Sequence, residues 1–358
     1  MIIPELKVIA RANAHDKLLM VVGLKDMGQV VAATGDGIND IEALKNADVG
    51  LSMGSGCAAA KLASDLILTE DDFESSIRAI MWGRNIYNNV TRFLQFQITV
   101  NVSALLVMVI GLVFFAESPL NAVQLLWINL IMDTFAAIAL STEPPLEKIL
   151  RSPPSSKTSL LTAAVWRQIL GVSLWNFLII LFIFIFGGLV GGLEDFSNYQ
   201  DISGVTAPGD YCDDFLDKGT KLTKVQTKAC AIYVGSFMKK KLFTYIFCTF
   251  VYLQVFNYIN CRKIGFRELN VFERIHHNPF FILVFCLVFA GQYFLVQIFT
   301  GVTRTHRLGK SEWGACITAG SSVLVVAWAI KFTPKALLKK IPFAKFVDED
   351  KVVTDRIA

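Results

Sequence analysis

The chain has 358 residues, with 34 Lys and Arg against 30 Asp and Glu for a net charge of +4. Hydrophobic residues make up 54% and charged residues 18%, and mean hydropathy is +0.51; a soluble domain carries about 25% charge. That balance excludes a disordered chain, which is polar and charged, and argues against a nucleic-acid binder, since no basic block stands out; at least one part belongs in a membrane.

Residues 1–73 read as soluble α/β. The start, Met1-Ile2-Ile3-Pro4-Glu5, has no basic stretch before an apolar one, so no signal peptide is expected. Lys7–Ala10, Gln29–Thr34, Asp48–Met53 and Leu66–Leu68 are strand candidates, with helices over Asp40–Ala47 and Ala58–Ala63. Strands alternating with short helices predict a parallel sheet. The first strand candidate sits almost at residue 1, so the opening half of such a fold is expected to be missing.

Between the second strand candidate and its helix lies Thr34-Gly35-Asp36-Gly37-Ile38-Asn39-Asp40. Asp36 falls at the carboxyl end of a strand, where open α/β sheets place ligands. Gly35 and Gly37 let backbone N–H groups approach anionic oxygens. Asp36 and Asp40 flank a helix start and are candidate holders of Mg²⁺ or its water shell. A Gly-Asp-Gly string alone is a turn; seven residues of this kind between strand and helix are a stronger signal. Lys17, upstream in Ala14-His15-Asp16-Lys17, is on spacing alone equally a solvated lysine.

From about residue 86 the pattern changes. A membrane-crossing helix needs about 20 predominantly apolar residues, and six stretches qualify: 93–115, 119–141, 169–193, 242–260, 279–300 and 313–332. The first follows the polar lead 73–91 without a breaker, which predicts one long helix entering the membrane. Lys148, Arg151, Lys157 and Arg167, then Arg262, Lys263, Arg267 and Arg274, then Lys331, Lys335, Lys339 and Lys340, flank spans on one side. The positive-inside rule makes that side cytosolic, together with the soluble part. Arg304, Arg307 and Lys310 lie on the opposite side, against the rule.

Asp133 is the one ionisable side chain deep in a span that matters. Its burial costs about 2.5–3.5 kcal/mol on the mildest scale. Asn129 precedes it by four residues, so an α-helix puts both on one face. Gln97 and Asn101 share that spacing in span one, and Gln254 and Asn257 are neighbours in span four. Carboxylate, amide and carbonyl oxygens suit a hard cation such as Ca²⁺; for the amides alone, polar contacts between helices explain the pattern equally well. Cys248, Cys286 and Cys316 read as small apolar core residues. Cys212 and Cys230 share a polar loop and pair only if it faces an oxidising compartment.

Together these residues resemble P-type ATPases. TGDGIND is similar to the hinge motif of their phosphorylation domain, a member of the haloacid-dehalogenase superfamily. Ala10-Arg11-Ala12 with Asp16-Lys17 resembles that domain's lysine segment. Asp65–Thr69, Trp82-Gly83-Arg84, Phe93–Asn101, Leu126–Phe135, Thr142-Glu143-Pro144-Pro145 and Gln254–Asn260 resemble calcium pumps of the plasma-membrane type. The resemblance implies a mixed fold: part of a haloacid-dehalogenase-like domain at 1–73, a stalk helix at 74–92, six spans at 93–332 (the family's fifth to tenth) and a cytosolic tail at 333–358. It implies Lys17, Asp36, Asn39 and Asp40 as catalytic residues, with Asp36 on Mg²⁺ and Thr34, Gly35 and Gly37 at the phosphate. Asp133, Asn129 and Asn101 would hold transported Ca²⁺, and Gln254 would be secondary. Reticulum-type pumps carry glutamate, threonine and glutamate where Ala104, Met132 and Gln254 stand here, which argues against a second calcium site.

The family's Asp-Lys-Thr-Gly-Thr and Thr-Gly-Glu-Ser strings do not occur in these residues, nor do its nucleotide-binding domain and first four spans. The resemblance therefore implies the C-terminal portion of an ATP-driven Ca²⁺ exporter in the plasma membrane or an internal, vacuolar or reticulum-like, membrane. The alternative is a truncated, non-catalytic paralogue that partners a full pump. ATP, Mg²⁺, Ca²⁺ and membrane lipid are the implied ligands. Calmodulin is a possible regulator in the family, because basic amphipathic tails can be its targets. Here Pro342 interrupts a short tail in which Lys335, Lys339, Lys340 and Lys345 lie among Leu337, Leu338, Ile341, Phe343 and Phe346, a composition that also suits anionic lipid. A 331–358 peptide is expected to show no submicromolar, calcium-dependent calmodulin binding by titration calorimetry.

Overall fold

The computed structural model describes residues 6–145, 148–151, 160–190, 224–263, 265, 270–273 and 275–333. The expected pairing of Cys212 with Cys230, most of the loop after span three and the tail from 334 lie outside the described side chains. The described residues form two compact units, one of residues up to Asn88 with Pro144–Thr162, the other of Asn89–Glu143 with 163–333.

In the first unit, α1 (Ala14–Asp26) precedes a parallel sheet of β1 (Ala32–Gly35), β2 (Val49–Met53) and β3 (Leu66–Leu68), in that order. A short 3₁₀ turn (Ile38–Asp40) and α2 (Ile41–Asn46) join β1 to β2, and α3 (Ala58–Ala63) joins β2 to β3. Crossovers of this kind are what parallel pairing requires. Leu51 and Ala60 are buried, while Leu66 and Ile67 stay largely exposed. Lys7–Ala10 is not a strand: it runs as exposed coil with no neighbour to pair with. α1 was not expected from periodicity; its start is marked by Asn13, whose N–H donates to Asp16 Oδ2 at 2.9 Å. The turn after β2 is tied down by Ser55 N–H donating to Asp71 at 3.1 Å. Hydrogen bonds from Ser55 hold the Asp71 carboxyl below its usual range. This support is present above the unfolded carboxylate pKa and is lost as pH falls through the lower folded value.

α4 (Phe73–Phe115) runs 43 residues without a break. Within the first unit, Arg84 donates to Ile149 O at 3.0 Å in the short α7 (Lys148–Arg151).

The second unit is helical. Six helices are long and apolar enough to cross a membrane: Phe73–Phe114, Ala122–Ser141, Ala163–Phe186, Lys239–Cys261, Pro279–Gln297 and Lys310–Ile330. They lie in α4; in α5 (Ala122–Leu126) continued through α6 (Asp133–Ser141); and in α8 (Ala163–Val190), α9 (Lys224–Cys261), α10 (Pro279–Gln297) and α12 (Lys310–Ile330). A four-residue α11 (Thr300–Thr303) links the last two. α9 is the centre: its apolar stretch is 89% buried, against 22–44% for the others, so it meets protein over most of its surface and they over less than half of theirs. Gly320 of α12 lets it come close. A Cβ there would sit 2.6 Å from Tyr252 Cβ and 2.9 Å from the Tyr252 carbonyl carbon. Small residues at helix contacts do this throughout membrane proteins.

Charges at one end of this unit are knitted together. Glu143 accepts from Arg92 of α4 through Oε2 and from Arg262, just after α9, at 3.0 Å through Oε1. Arg262 is 1% exposed and also donates to Val271 O and Glu273 O, each at 3.3 Å. Asn89 donates to Ser141 O at 3.0 Å, and Arg167 to Lys331 O at 3.5 Å. At the opposite end, Lys239 pairs with Glu117 at 2.9 Å and Lys241 with Glu312 at 2.6 Å. The two ends collect the charges that parity of the spans assigns to opposite sides.

Removing one member of a desolvated ion cluster leaves its partners unpaired, which costs about 3–5 kcal/mol when fully buried; Glu143 is part-exposed, so Glu143→Gln should cost roughly the lower end. Thermal unfolding of the detergent-solubilised chain checks this. Arg78→Gln, which breaks only the exposed Arg78–Glu74 pair, should leave the melting temperature almost unchanged. Gly320→Leu should destabilise by about 1–3 kcal/mol through overpacking.

Candidate functional site

Two separate places hold the residues singled out from sequence. In the first unit, β1 ends at Gly35 and delivers Asp36 to the tip of the sheet. Asp36 is exposed, and its backbone carbonyl accepts from Cys57 N–H at 2.9 Å. Among the described residues, nothing binds its carboxylate. Lys17 of α1 meets Asp40 Oδ1 at 2.6 Å, while Gly37 N–H donates to Asp40 Oδ2 at 3.3 Å. Asp40 is 9% exposed and sits in the 3₁₀ turn. Lys17, Gly37 and Asp40 therefore form one connected group, with Asp36 free beside it. Thr34 and Asn39 are exposed.

Gly35 is a steric necessity. A Cβ there would lie 2.4 Å from Asp40 Cβ and 2.7 Å from its Cγ. At Gly37 the nearest atom to an added Cβ is Asp40 Oδ2 at 3.7 Å, an ordinary contact. A free carboxylate four residues before the Lys17–Asp40 pair, at the open carboxyl end of a parallel sheet, fits a small hard cation bound through one or two carboxylates plus a phosphate. No cluster of three or more His, Cys, Asp or Glu occurs among the described residues, so an all-protein metal cage is not what this tip offers.

In the second unit, the span carrying Asp133 is not a plain α-helix. Trp127–Met132 form a π turn between α5 and α6, and the Asp133 N–H reaches back to Ile128 O. Thr134 donates its hydroxyl to Leu130 O. Such turns concentrate at functional sites. The wider turn rotates residues out of α register: Asp133 is 5% exposed, whereas Asn129, four residues earlier, is exposed. Asn101 of α4 is exposed as well.

The side chain that touches Asp133 is Gln97, donating from Nε2 to Oδ2 at 2.8 Å. Sequence spacing placed Gln97 and Asn101 on one face and left their contacts open. Asp133 Oδ1 and Gln97 Oε1 are both buried without a hydrogen-bond partner. Tyr258 of α9 donates to Met132 O at 2.6 Å and packs its ring 4.5 Å from Phe96, fixing α9 against the π turn. Gln254, one turn before Tyr258, is fully buried with both amide atoms unpartnered. Two oxygen acceptors without donors, one of them on a carboxylate, form a place that a cation satisfies and a neutral apolar core does not.

Six apolar helices around a buried centre, with one oxygen-lined point at a π turn, define a multi-pass membrane protein with a polar site inside its bundle. The chain belongs to the cation-transporting ATPases: residues 117–333 match the family described as cation transporting ATPase, C-terminus. It is 37% identical over 356 residues to the plasma membrane calcium-transporting ATPase mca-1 of Caenorhabditis elegans, covering 98% of this chain and 25% of that protein. It is 39% identical over 343 residues to plasma membrane calcium-transporting ATPase 4 of Homo sapiens, covering 94% of this chain and 25% of that protein. Calcium-transporting ATPase 2 of Schizosaccharomyces pombe is 38% identical over 352 residues, covering 97% and 24%. The chain thus spans about a quarter of the length of these relatives, in a region that includes their C-terminal family segment.

Gly35→Ala should force Asp40 aside and break its bond to Lys17, destabilising the tip by about 1–3 kcal/mol, whereas Gly37→Ala should be much milder. Hydrogen exchange over residues 32–53 of the full chain measures the difference.

Proposed function

We propose that this chain is the C-terminal portion of an ATP-driven calcium transporter, with residues 6–73 as part of a haloacid-dehalogenase-like phosphorylation domain and the six spans as part of the ion path. The observation that carries the reading is Asp133, a buried carboxylate in a membrane span with one oxygen unpartnered. A pump needs such a group: it must hold a dehydrated cation yet release it on rearrangement.

At the sheet tip, Asp36 would hold Mg²⁺, with Asn39 and Asp40 as neighbours and Thr34, Gly35 and Gly37 bordering the phosphate. Bound Mg²⁺ supplies charge neutralisation on a transferring phosphoryl group. Lys17 adds a fixed positive charge there, and Asp40 orients it by their 2.6 Å contact. The acceptor aspartate and the ATP site would lie in the portion that these relatives have and this chain does not match. In the bundle, Asp133 is the principal calcium ligand. Asn129 and Asn101, exposed on their helices, would complete the shell only with oxygens from further spans, since Ca²⁺ takes 6–8 ligands. Discontinuous transporter helices commonly supply such carbonyls.

In a pump joining this chain to the N-terminal part of a calcium-transporting relative, Asp133→Asn should abolish Ca²⁺-dependent phosphorylation by ATP. Phosphorylation by inorganic phosphate without calcium should survive. Asp36→Asn should do the reverse, severely reducing phosphorylation while radioactive calcium binding persists. Gln254→Ala should retain substantial transport. Near-normal calcium affinity in Asp133→Asn would overturn the site.

A further inference from the structure

The amide that touches Asp133 has an oxygen to spare. Gln97 of α4 donates from Nε2 to Asp133 Oδ2 at 2.8 Å. An ionised carboxylate only accepts, so the amide turns its nitrogen toward it and leaves its own oxygen over. Each planar group then has one oxygen remaining, Gln97 Oε1 and Asp133 Oδ1, and both are buried without a hydrogen-bond partner. Neither can donate to the other. Buried acceptors nearly always have donors, and a plain polar contact between two helices would not leave a pair of them side by side.

One side chain holds this pair in register. Tyr258 of α9 donates to the carbonyl of Met132, the residue before Asp133, at 2.6 Å. Its ring lies 4.5 Å from that of Phe96, the residue before Gln97. Tyr258, Phe96 and Met132 are all buried. Tyr258 therefore fixes α4 and the π turn at the very residues that adjoin the two in contact. Asn101, one turn further along α4, and Asn129, at the start of the same π turn, are exposed instead.

We propose that Gln97 is a direct ligand of the transported cation, offering Oε1 together with Asp133 Oδ1 to one divalent ion while its Nε2 stays on Oδ2. Tyr258 is a positioning residue that acts through Phe96 and Met132. The inference rests on the calcium-transporter reading and deepens it by naming a ligand from α4. Ca²⁺ accepts amide carbonyl oxygens beside carboxylates, and carboxylates that bind through one oxygen as well as two. The hydrogen bond from Nε2 occupies Oδ2, so Asp133 binds through Oδ1, and Gln97 Oε1 replaces the oxygen that its own nitrogen has taken. Hydrogen bonds to a ligating carboxylate orient it in the same way in other metal sites.

The test measures radioactive calcium binding in the pump that joins this chain to the N-terminal part of a calcium-transporting relative. The melting temperature of the 358-residue chain in neutral detergent is the folding control. Gln97→Leu should lower apparent calcium affinity at least about tenfold. If it does not match the wild-type melting temperature, Gln97→Met, closer in length and also without an oxygen, is read in its place. Gln97→Glu keeps an oxygen and loses the N–H, so it should bind calcium better than Gln97→Leu. A role limited to hydrogen-bonding Asp133 gives the opposite order, because a second carboxylate repels the first, and that order would overturn the ligand assignment. Tyr258→Phe, which keeps the ring and loses the bond to Met132, should lower affinity, and Tyr258→Leu should lower it further. Unchanged affinity in both, with only the melting temperature reduced, would make Tyr258 a packing residue and overturn its positioning role. Asp133→Asn is the reference. If it retains calcium, the transporter reading falls and this inference with it. If it loses calcium while the Leu and Met variants of Gln97 bind as tightly as the wild type, the Gln97 assignment alone is wrong.

Discussion

The carboxylate of Glu143 accepts from two guanidiniums that arrive on different helices, Arg92 on α4 and Arg262 after α9. Much of the bundle's order hangs on that bond. Glu143 stands two residues beyond α6, the helix that begins at Asp133, so the link fixes one end of the segment holding the buried acid. The other end of that segment is set by the π turn and by Tyr258 on Met132 O. A buried charge persists only where geometry satisfies it. Here the geometry is supplied by three stretches distant in sequence, and Arg262 completes it with two backbone carbonyls and the face of Phe281, 5.1 Å from its ring centre.

The spans were legible because bilayer thickness imposes a length that composition cannot hide. The expected stretches 242–260 and 279–300 coincide closely with Lys239–Cys261 and Pro279–Gln297. The unbroken lead into span one was legible too, since nothing between Phe73 and Thr91 stops a helix. The strands of the small sheet were visible as short apolar runs, yet Lys7–Ala10, equally β-like in composition, pairs with nothing. Strand formation needs a neighbour, and a neighbour is not written in four residues. α1 went unread because it buries little more than Val21 and so lacks a strong apolar stripe. The spacing of Asn13 and Asp16 was the available signal.

The interior of the site was half legible. An acid in an apolar span announces itself by cost, so Asp133 stood out. Its partner did not. Gln97 and Asn101 lie one turn apart on the same helix, and which turn meets Asp133 depends on how far α4 slides along α6. That register comes from Arg92 on Glu143, Asn89 on Ser141 and Phe96 against Tyr258. The π turn was equally silent: Trp127–Met132 contains no glycine or proline to mark it. Spacing rules assume α geometry, and with one i→i+5 turn between them Asn129 is exposed while Asp133 is buried.

The same packing bears on how many ions such a site would serve. Ala104 and Met132 are buried in the apolar core of the bundle, and Met132 contributes its backbone carbonyl to Tyr258 rather than a side-chain oxygen. Neither position offers a ligand. Gln254 is the only polar member of that set of three, and an uncharged amide neutralises nothing. A second divalent cation would then bring two positive charges into a low-dielectric space holding one described carboxylate. Repulsion between neighbouring divalent ions grows as the dielectric falls, and desolvation of the second ion would go uncompensated. With Asp133 as the one described carboxylate at this point and Gln97 as the amide on it, these spans offer no charge that would offset a second divalent cation.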